Sequence, residues 1–310
     1  MKNILTLLLL VLSLGIFAQE QADKQNEKQK IVIVRMGEIG EIGVVKYSSY
    51  DWALKGYYAQ SEKKYSDACF YYQKAIELNP DDEVSYNNWG IALVNFAKQK
   101  GDESFYYKGI EKSKKAIGLN PDYADAYNNW GVALFYLAKQ KDDESLYLES
   151  IEKCKKVIGL NPDYADAYHN WGIILSCLAK QKNDESFYSA SIEKYKNAIE
   201  LKSDHAGAYN SWGIALMDLA QLKDNLEEKK DTIIDLYRKA GTFKKGVGSY
   251  NLACLYALLN EKETALTWLE KSLQYVGRPN RRHYDQDADF NNIKEEPRFK
   301  ALLDKYFQNE

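Results

Sequence analysis

The stretch YNNWGVALFYLAKQ, residues 127–140, decides how this chain is read, because close copies of it begin at residues 86, 168 and 209 and a weaker one at 250. Tyr86, Tyr127, Tyr168, Tyr209 and Tyr250 are spaced 41 residues apart, as are Trp89, Trp130, Trp171 and Trp212, and Gly90, Gly131, Gly172 and Gly213. Ile76, Ile117, Ile158 and Ile199 keep the same step, and so do Pro80, Pro121 and Pro162, until Ser203 breaks the series. A period held through so many columns marks a repeat array.

Within residues 124–164, Tyr127, Trp130, Gly131 and Leu134 recur at the spacing of one helix face. Asp142 and Asp143 interrupt, and Leu146, Ile151, Cys154 and Ile158 then outline the apolar side of a second helix. Asp143 is its expected N-cap, with Glu144 in the first turn, where the helix dipole favours negative charge. Gly159 is expected at its end, and Asn161-Pro162-Asp163 makes the turn into the next unit, since proline disfavours helical geometry at the residue before it. Each unit reads as a helical hairpin.

The first unit, from about Ser49 to Asp82, is shorter, and its Trp52, Gly56, Ala68, Tyr72, Ala75 and Pro80 match the columns of the tetratricopeptide repeat (TPR). From about residue 49 to about residue 275 the chain resembles a TPR protein, with units at about 49–82, 83–123, 124–164, 165–205, 206–246 and 247–275. The later units depart from the family pattern. They carry Tyr then Trp where it has Trp then Leu, and they insert about seven residues, or about two helical turns. Shared as one turn per helix, that insertion keeps both apolar faces in register. Repeats of this length also invite comparison with HEAT, armadillo and Sel1-type arrays; the Asn-Pro-Asp turn and the small residues Gly109 and Ala116 favour TPR. The resemblance implies an all-α fold, a right-handed α-solenoid (superhelix) of six TPR-like helical hairpins with a C-terminal capping helix. The cap, in residues 276–310, offers Phe290, Ile293, Phe299, Leu302 and Leu303 to shield the end of the stack.

The opening MKNILTLLLLVLSLGIFAQE has Lys2, an apolar run from Ile4 to Phe17, and Ala18 before polar residues. Residues 1–18 read as a signal peptide cleaved after Ala18, because the run is short of the roughly 20 residues a spanning helix needs. The mature protein is expected to be exported, periplasmic or secreted, with no membrane span. Residues 19–48 comprise the polar linker QADKQNEKQK and a short apolar extended segment around Ile31–Val45. That segment either packs on the first repeat or adds as a strand to a partner's sheet.

The chain has 310 residues, with 42 basic and 45 acidic side chains and a formal charge of −3. Without a basic excess to neutralise phosphates, nucleic acid is excluded as the main partner. Cys69, Cys154, Cys177 and Cys254 each sit in an apolar helical pattern without metal-site spacing, so they read as buried apolar side chains. No nucleophile–base pair, metal box or phosphate loop is visible. The expectation is a protein that is not an enzyme and takes no cofactor or metal.

The resemblance implies that the face opposite the Tyr-Trp-Gly arc lines a concave groove. One column there is Asn87, Asn128, His169, Asn210 and Asn251, a second is Asn88, Asn129, Asn170 and Ser211, and a third is Ile91, Val132, Ile173, Ile214 and Leu255. Amides beside an aliphatic stripe suit an extended peptide, whose backbone offers matching donors and acceptors. This predicts a scaffold for a protein or peptide, with a glycan or other small ligand in the same groove as the alternative. The competing reading has the amides bonding between adjacent units and knitting the superhelix together. The first helices carry Asp125, Asp166 and Gly207 near their starts and no Lys before Lys98, Lys139 and Lys180, which disfavours a carboxylate-tail clamp. Lys112, Lys114, Lys115, Lys153, Lys155 and Lys156 read as a solvated convex face. Arg278, Arg281, Arg282 and His283 read as a loop pairing with Asp285, Asp287 and Asp289. Oligomeric state has no signature in the sequence.

Overall fold

The computed structural model describes residues 32–35, 42–45, 47–275 and 280–308. The leader and polar linker lie outside the described residues. Strand β1 (Val32–Arg35) pairs antiparallel with β2 (Ile42–Val45), Val32 opposite Val45 and Arg35 opposite Ile42. All other regular structure among the described residues is helical, and the chain divides into two compact bodies, one ending at Ser85 and the other beginning at Tyr86.

The first body holds the hairpin of α1 (Ser49–Ser61) and α2 (Tyr65–Leu78). Ser48 caps α1 in a reciprocal capping box with Asp51, which satisfies two helix-end donors at once. Trp52, Gly56, Ala68, Tyr72 and Ala75 are all buried, so the columns that carry the resemblance form the hairpin's core. At Gly56 an added Cβ would lie 2.8 Å from the Tyr72 ring, which explains why that position carries no side chain.

The second body begins within α3 (Glu83–Lys100); α3 and α4 (Ser104–Leu119), α5 (Ala124–Lys141) and α6 (Glu144–Leu160), and α7 (Ala165–Lys182) and α8 (Glu185–Leu201) form successive hairpins. They are followed by α9 (Ala206–Leu222) with α10 (Leu226–Phe243), then α11 (Ser249–Leu258) with α12 (Lys262–Leu273). The inserted residues lengthen both helices: α1 and α2 have 13 and 14 residues, whereas α5 and α6 have 18 and 17. That is about one added turn in each, which leaves the buried stripe on the same side.

Asp143 and Asp184 cap α6 and α8 by accepting from the backbone N–H of Ser145 and Ser186. Between the paired helices the chain turns through a left-handed residue in the same column each time, Gly101, Asp142, Asn183 and Asp224, with φ of 71°, 54°, 53° and 53°. Gly, Asn and Asp tolerate that conformation best. Gly159, by contrast, lies inside α6 without positive φ; the helix runs on to Leu160, and extended Asn161 ends it. Asn79, Asn120 and Asn161 each accept from the N–H two residues on, closing the Asn-Pro-Asp turns.

Apolar clusters sit between consecutive hairpins. Val94, Ala97, Tyr106 and Ile110 pack with Ala133, Leu134 and Leu137, and Tyr147, Ile151 and Cys154 pack with Ile174, Leu175 and Leu178. The last cluster joins Leu252, Leu255, Leu266 and Leu269 to Tyr284, Phe290, Ile293, Phe299, Leu302 and Leu303 from the closing segment. That segment comprises α13 (Arg281–Gln286), a 3-10 turn (Ala288–Phe290) and α14 (Pro297–Tyr306), and it covers the final hairpin's apolar side. Cys154, Cys177 and Cys254 carry no disulfide. Among the described residues no helix is long and apolar enough to cross a membrane.

Candidate functional site

The Asn columns of α3, α5, α7, α9 and α11 meet each other across the hairpins. Asn129 Nδ2 donates to Asn87 Oδ1 at 2.8 Å, Asn170 Nδ2 to Asn128 Oδ1 at 3.0 Å, and Asn251 Nδ2 to Asn210 Oδ1 at 2.8 Å. His169 Nε2 and Ser211 Oγ make the remaining rung at 3.0 Å. A residue of the second column thus bonds the first column of the preceding unit; at the end Leu252 holds the second-column place, and Asn251 bonds Asn210 instead. Each Asn–Asn rung uses one donor or one acceptor of an amide that has two N–H groups and a carbonyl with two lone pairs. Asn87 is buried, while Asn88, Asn128, Asn129, His169, Asn170, Asn210 and Asn251 are half-buried.

The aliphatic column runs beside this ladder. Ile91, Val132, Ile173 and Ile214 are half-buried, but Leu255 is fully buried because the closing segment packs over α11. Leu255 therefore belongs to the core and leaves the stripe with four members.

Further ladders link neighbouring hairpins near the helix ends. Tyr164 Oη donates to Asp125 Oδ1 at 2.6 Å, and His205 Nε2 meets Asp166 Oδ1 at 2.9 Å. At the opposite end Lys141, Lys182 and Lys223 pair with Glu103, Glu144 and Glu185 of the preceding unit at 3.3, 2.6 and 2.6 Å. These ion pairs are exposed or half-exposed and contribute little each, at roughly 0–1 kcal/mol. The 41-residue columns carry both partners, so the signal was present; only the stacking of neighbouring units shows which column meets which.

The lysines of the second helices do not form a uniformly solvated face. Lys112, Lys153 and Lys194 lie over Trp89, Trp130 and Trp171, with Nζ 4.3, 3.9 and 4.7 Å from the ring centroids. Lys114, Lys155 and Lys196 reach Trp130, Trp171 and Trp212 from the preceding unit at 4.7, 5.7 and 5.1 Å. Trp130 and Trp171 are each held between two cations, and cation–π attraction together with the lysine stem keeps the half-buried indoles covered.

Near the end of the array, Cys254 Sγ and carboxylate oxygens of Asp287 and Asp289 lie within 4.8 Å of one another. The Tyr250 hydroxyl donates to Asp287, and Cys254 hydrogen-bonds Asp289. Burial, reinforced by the two carboxylates, pushes the Cys254 thiol up, so in this arrangement it donates to the carboxylate beside it. The cluster ties the closing segment to α11. Arg281 pairs with Asp304 at 2.7 Å and Asp285 at 3.6 Å, so of the three predicted Asp partners it takes only Asp285. A cleft of ≈ 240 Å³ beside it is lined by Arg281, Asp285, Lys294, Glu295, Phe299, Lys300 and Leu303, none of them a ladder residue.

Stacked helical hairpins joined by side-chain ladders make this a helical-repeat solenoid. Family profiles described as tetratricopeptide repeat match residues 52–82 and 124–163. A thermophilic TPR protein of Thermus thermophilus, TTC0263, is 15% identical, with a TM-score of 0.51 over 73% of this chain and 100% of that one. The structure reported for Pseudomonas aeruginosa pilF is 13% identical, with a TM-score of 0.53 over 78% of this chain and 94% of that one. A search of curated proteins finds no match. Two of its units are thus recognised as tetratricopeptide repeats, and its fold is that of TPR solenoids.

Proposed function

We propose that this protein is an exported, non-enzymatic scaffold that binds another protein or an extended peptide along the amide-bearing face of its first helices. The observation that carries this reading is the unused hydrogen-bonding capacity of Asn128, Asn129, Asn170 and Asn210 beside half-buried Val132, Ile173 and Ile214. A peptide backbone alternates donors and acceptors and can use the free amide groups, while its side chains cover the aliphatic column. Export rests on the leader-like residues 1–18.

Residues 19–310 immobilised as bait should retain a partner from envelope proteins, and a variant with Asn128, Asn129, His169 and Asn210 changed to Ala should lose it at unchanged helicity. Equal retention by both would remove the ladder as the binding face. N-terminal sequencing of the mature chain from the envelope fraction should begin at Gln19; a start at Met1 in the cytoplasm would sink the export reading.

A further inference from the structure

The amide ladder changes chemistry at one rung. Where other units place Asn, the joint between α7 and α9 places His169, and its partner column carries Ser211 instead of Asn. The same joint holds a second imidazole, His205, whose ring centroid lies 4.8 Å from that of His169 in an edge-on arrangement. His205 is fixed from both sides, since its Nδ1 accepts from the Ala208 N–H that opens α9 and its Nε2 meets Asp166 of α7. Gly207 is pressed against both rings: a methyl there would lie 3.2 Å from His169 Cε1 and 3.3 Å from His205 Cε1.

We propose that the joint between the hairpins 165–205 and 206–246 is an acid-sensitive hinge, in which proton uptake by His169 loosens α7 from α9 while the all-amide rungs hold. The groups facing His169 give it no free anion. From its own helix comes Asp166, already committed to His205; from the turn after α8 comes His205; from α8 comes the Tyr195 phenol, hydrogen-bonded to Ser176; α9 contributes the Ser211 hydroxyl and the Gly207 backbone. Burial, with the adjacent His205, lowers His169 to about 4. The closed joint therefore holds a neutral ring, and the proton enters when the joint opens to water. The rungs Asn87–Asn129, Asn128–Asn170 and Asn210–Asn251 contain no group that binds a proton in this range.

The test uses the chain from residue 19 and its His169→Asn variant, which returns an amide to the ladder position. Hydrogen exchange over residues 166–176 and 207–217, corrected for intrinsic pH dependence, should show opening rise about 20-fold from pH 7 to pH 5 in the parent. That factor follows from one proton bound at the ordinary 6.5 when open and about 4 when closed. In the variant the rise should shrink to less than about 3-fold, and exchange near Asn87 and Asn129 should be unaffected in both. Imidazole NMR of the parent supplies a readout that does not need the variant to fold: His169 should remain neutral at pH 5. Titration of His169 near 6.5, or the same rise in parent and variant, would overturn the proposal.

Discussion

Asn129 Nδ2 lies 2.8 Å from Asn87 Oδ1, a bond between side chains 42 residues apart that joins the first helix of one hairpin to the first helix of the next. Asn87 is only 3% exposed, so its carbonyl has little water to turn to when the partner is removed. Asn129→Ala should cost about 1–2 kcal/mol of stability, and Asn87→Ala/Asn129→Ala less than the sum of the single changes. Denaturant unfolding of the four proteins measures the coupling, and strict additivity would mean that the bond contributes nothing.

Glycines of the first and second helices make opposite predictions. A Cβ at Gly172 or Gly213 would lie 2.5 Å from the ring of Tyr195 or Tyr237, so either change to Ala should destabilise by about 1–3 kcal/mol through overpacking. Gly118 and Gly159 are helical, with no atom within 4 Å of an added Cβ. Ala there should gain about 0.5–1 kcal/mol from helix propensity. Thermal melts of the four variants separate the two groups.

Lys153, with Nζ 3.9 Å from the Trp130 centroid, should contribute through both charge and stem. Lys153→Ala is expected to lose about 0.5–1 kcal/mol and to shift tryptophan emission to longer wavelength as the indole meets more water. Lys153→Met keeps most of the stem and should recover part of that loss. Alanine melting like the parent would place the lysine outside the packing.

Cys154 and Cys254 are 4% and 2% exposed. Burial pushes the Cys154 thiol up to about 12 and raises Cys254 as well. Both should therefore resist iodoacetamide at pH 8 in the native protein and react fully in denaturant without reductant. Mass spectrometry of the labelled peptides reads both states; labelling of native Cys154 would contradict its burial.

Much of this fold is legible residue by residue. The spacing of Tyr127, Trp130, Gly131 and Leu134 marks α5, Asp143 marks the start of α6, and Phe290, Ile293, Phe299, Leu302 and Leu303 mark the buried side of the closing segment. The turn column Gly101, Asp142, Asn183 and Asp224 was also open to reading, since these residue types favour left-handed backbone. Gly159 misleads because glycine near a helix end suggests a left-handed cap, whereas here Asn161 ends the helix in extended geometry.

By itself, the sequence determined what depends on local spacing: the period, the helices, their apolar faces and the turns, because a 3.6-residue helix converts spacing directly into direction. Tertiary structure alone decided which columns meet. The rotation of each hairpin against the next places Asn129 on Asn87 and His205 on Asp166, sets lysines from two units over one indole, and lets the closing segment bury Leu255. Those pairings span 16 to 42 residues or more, and a one-dimensional period carries no record of the angle at which its units stack.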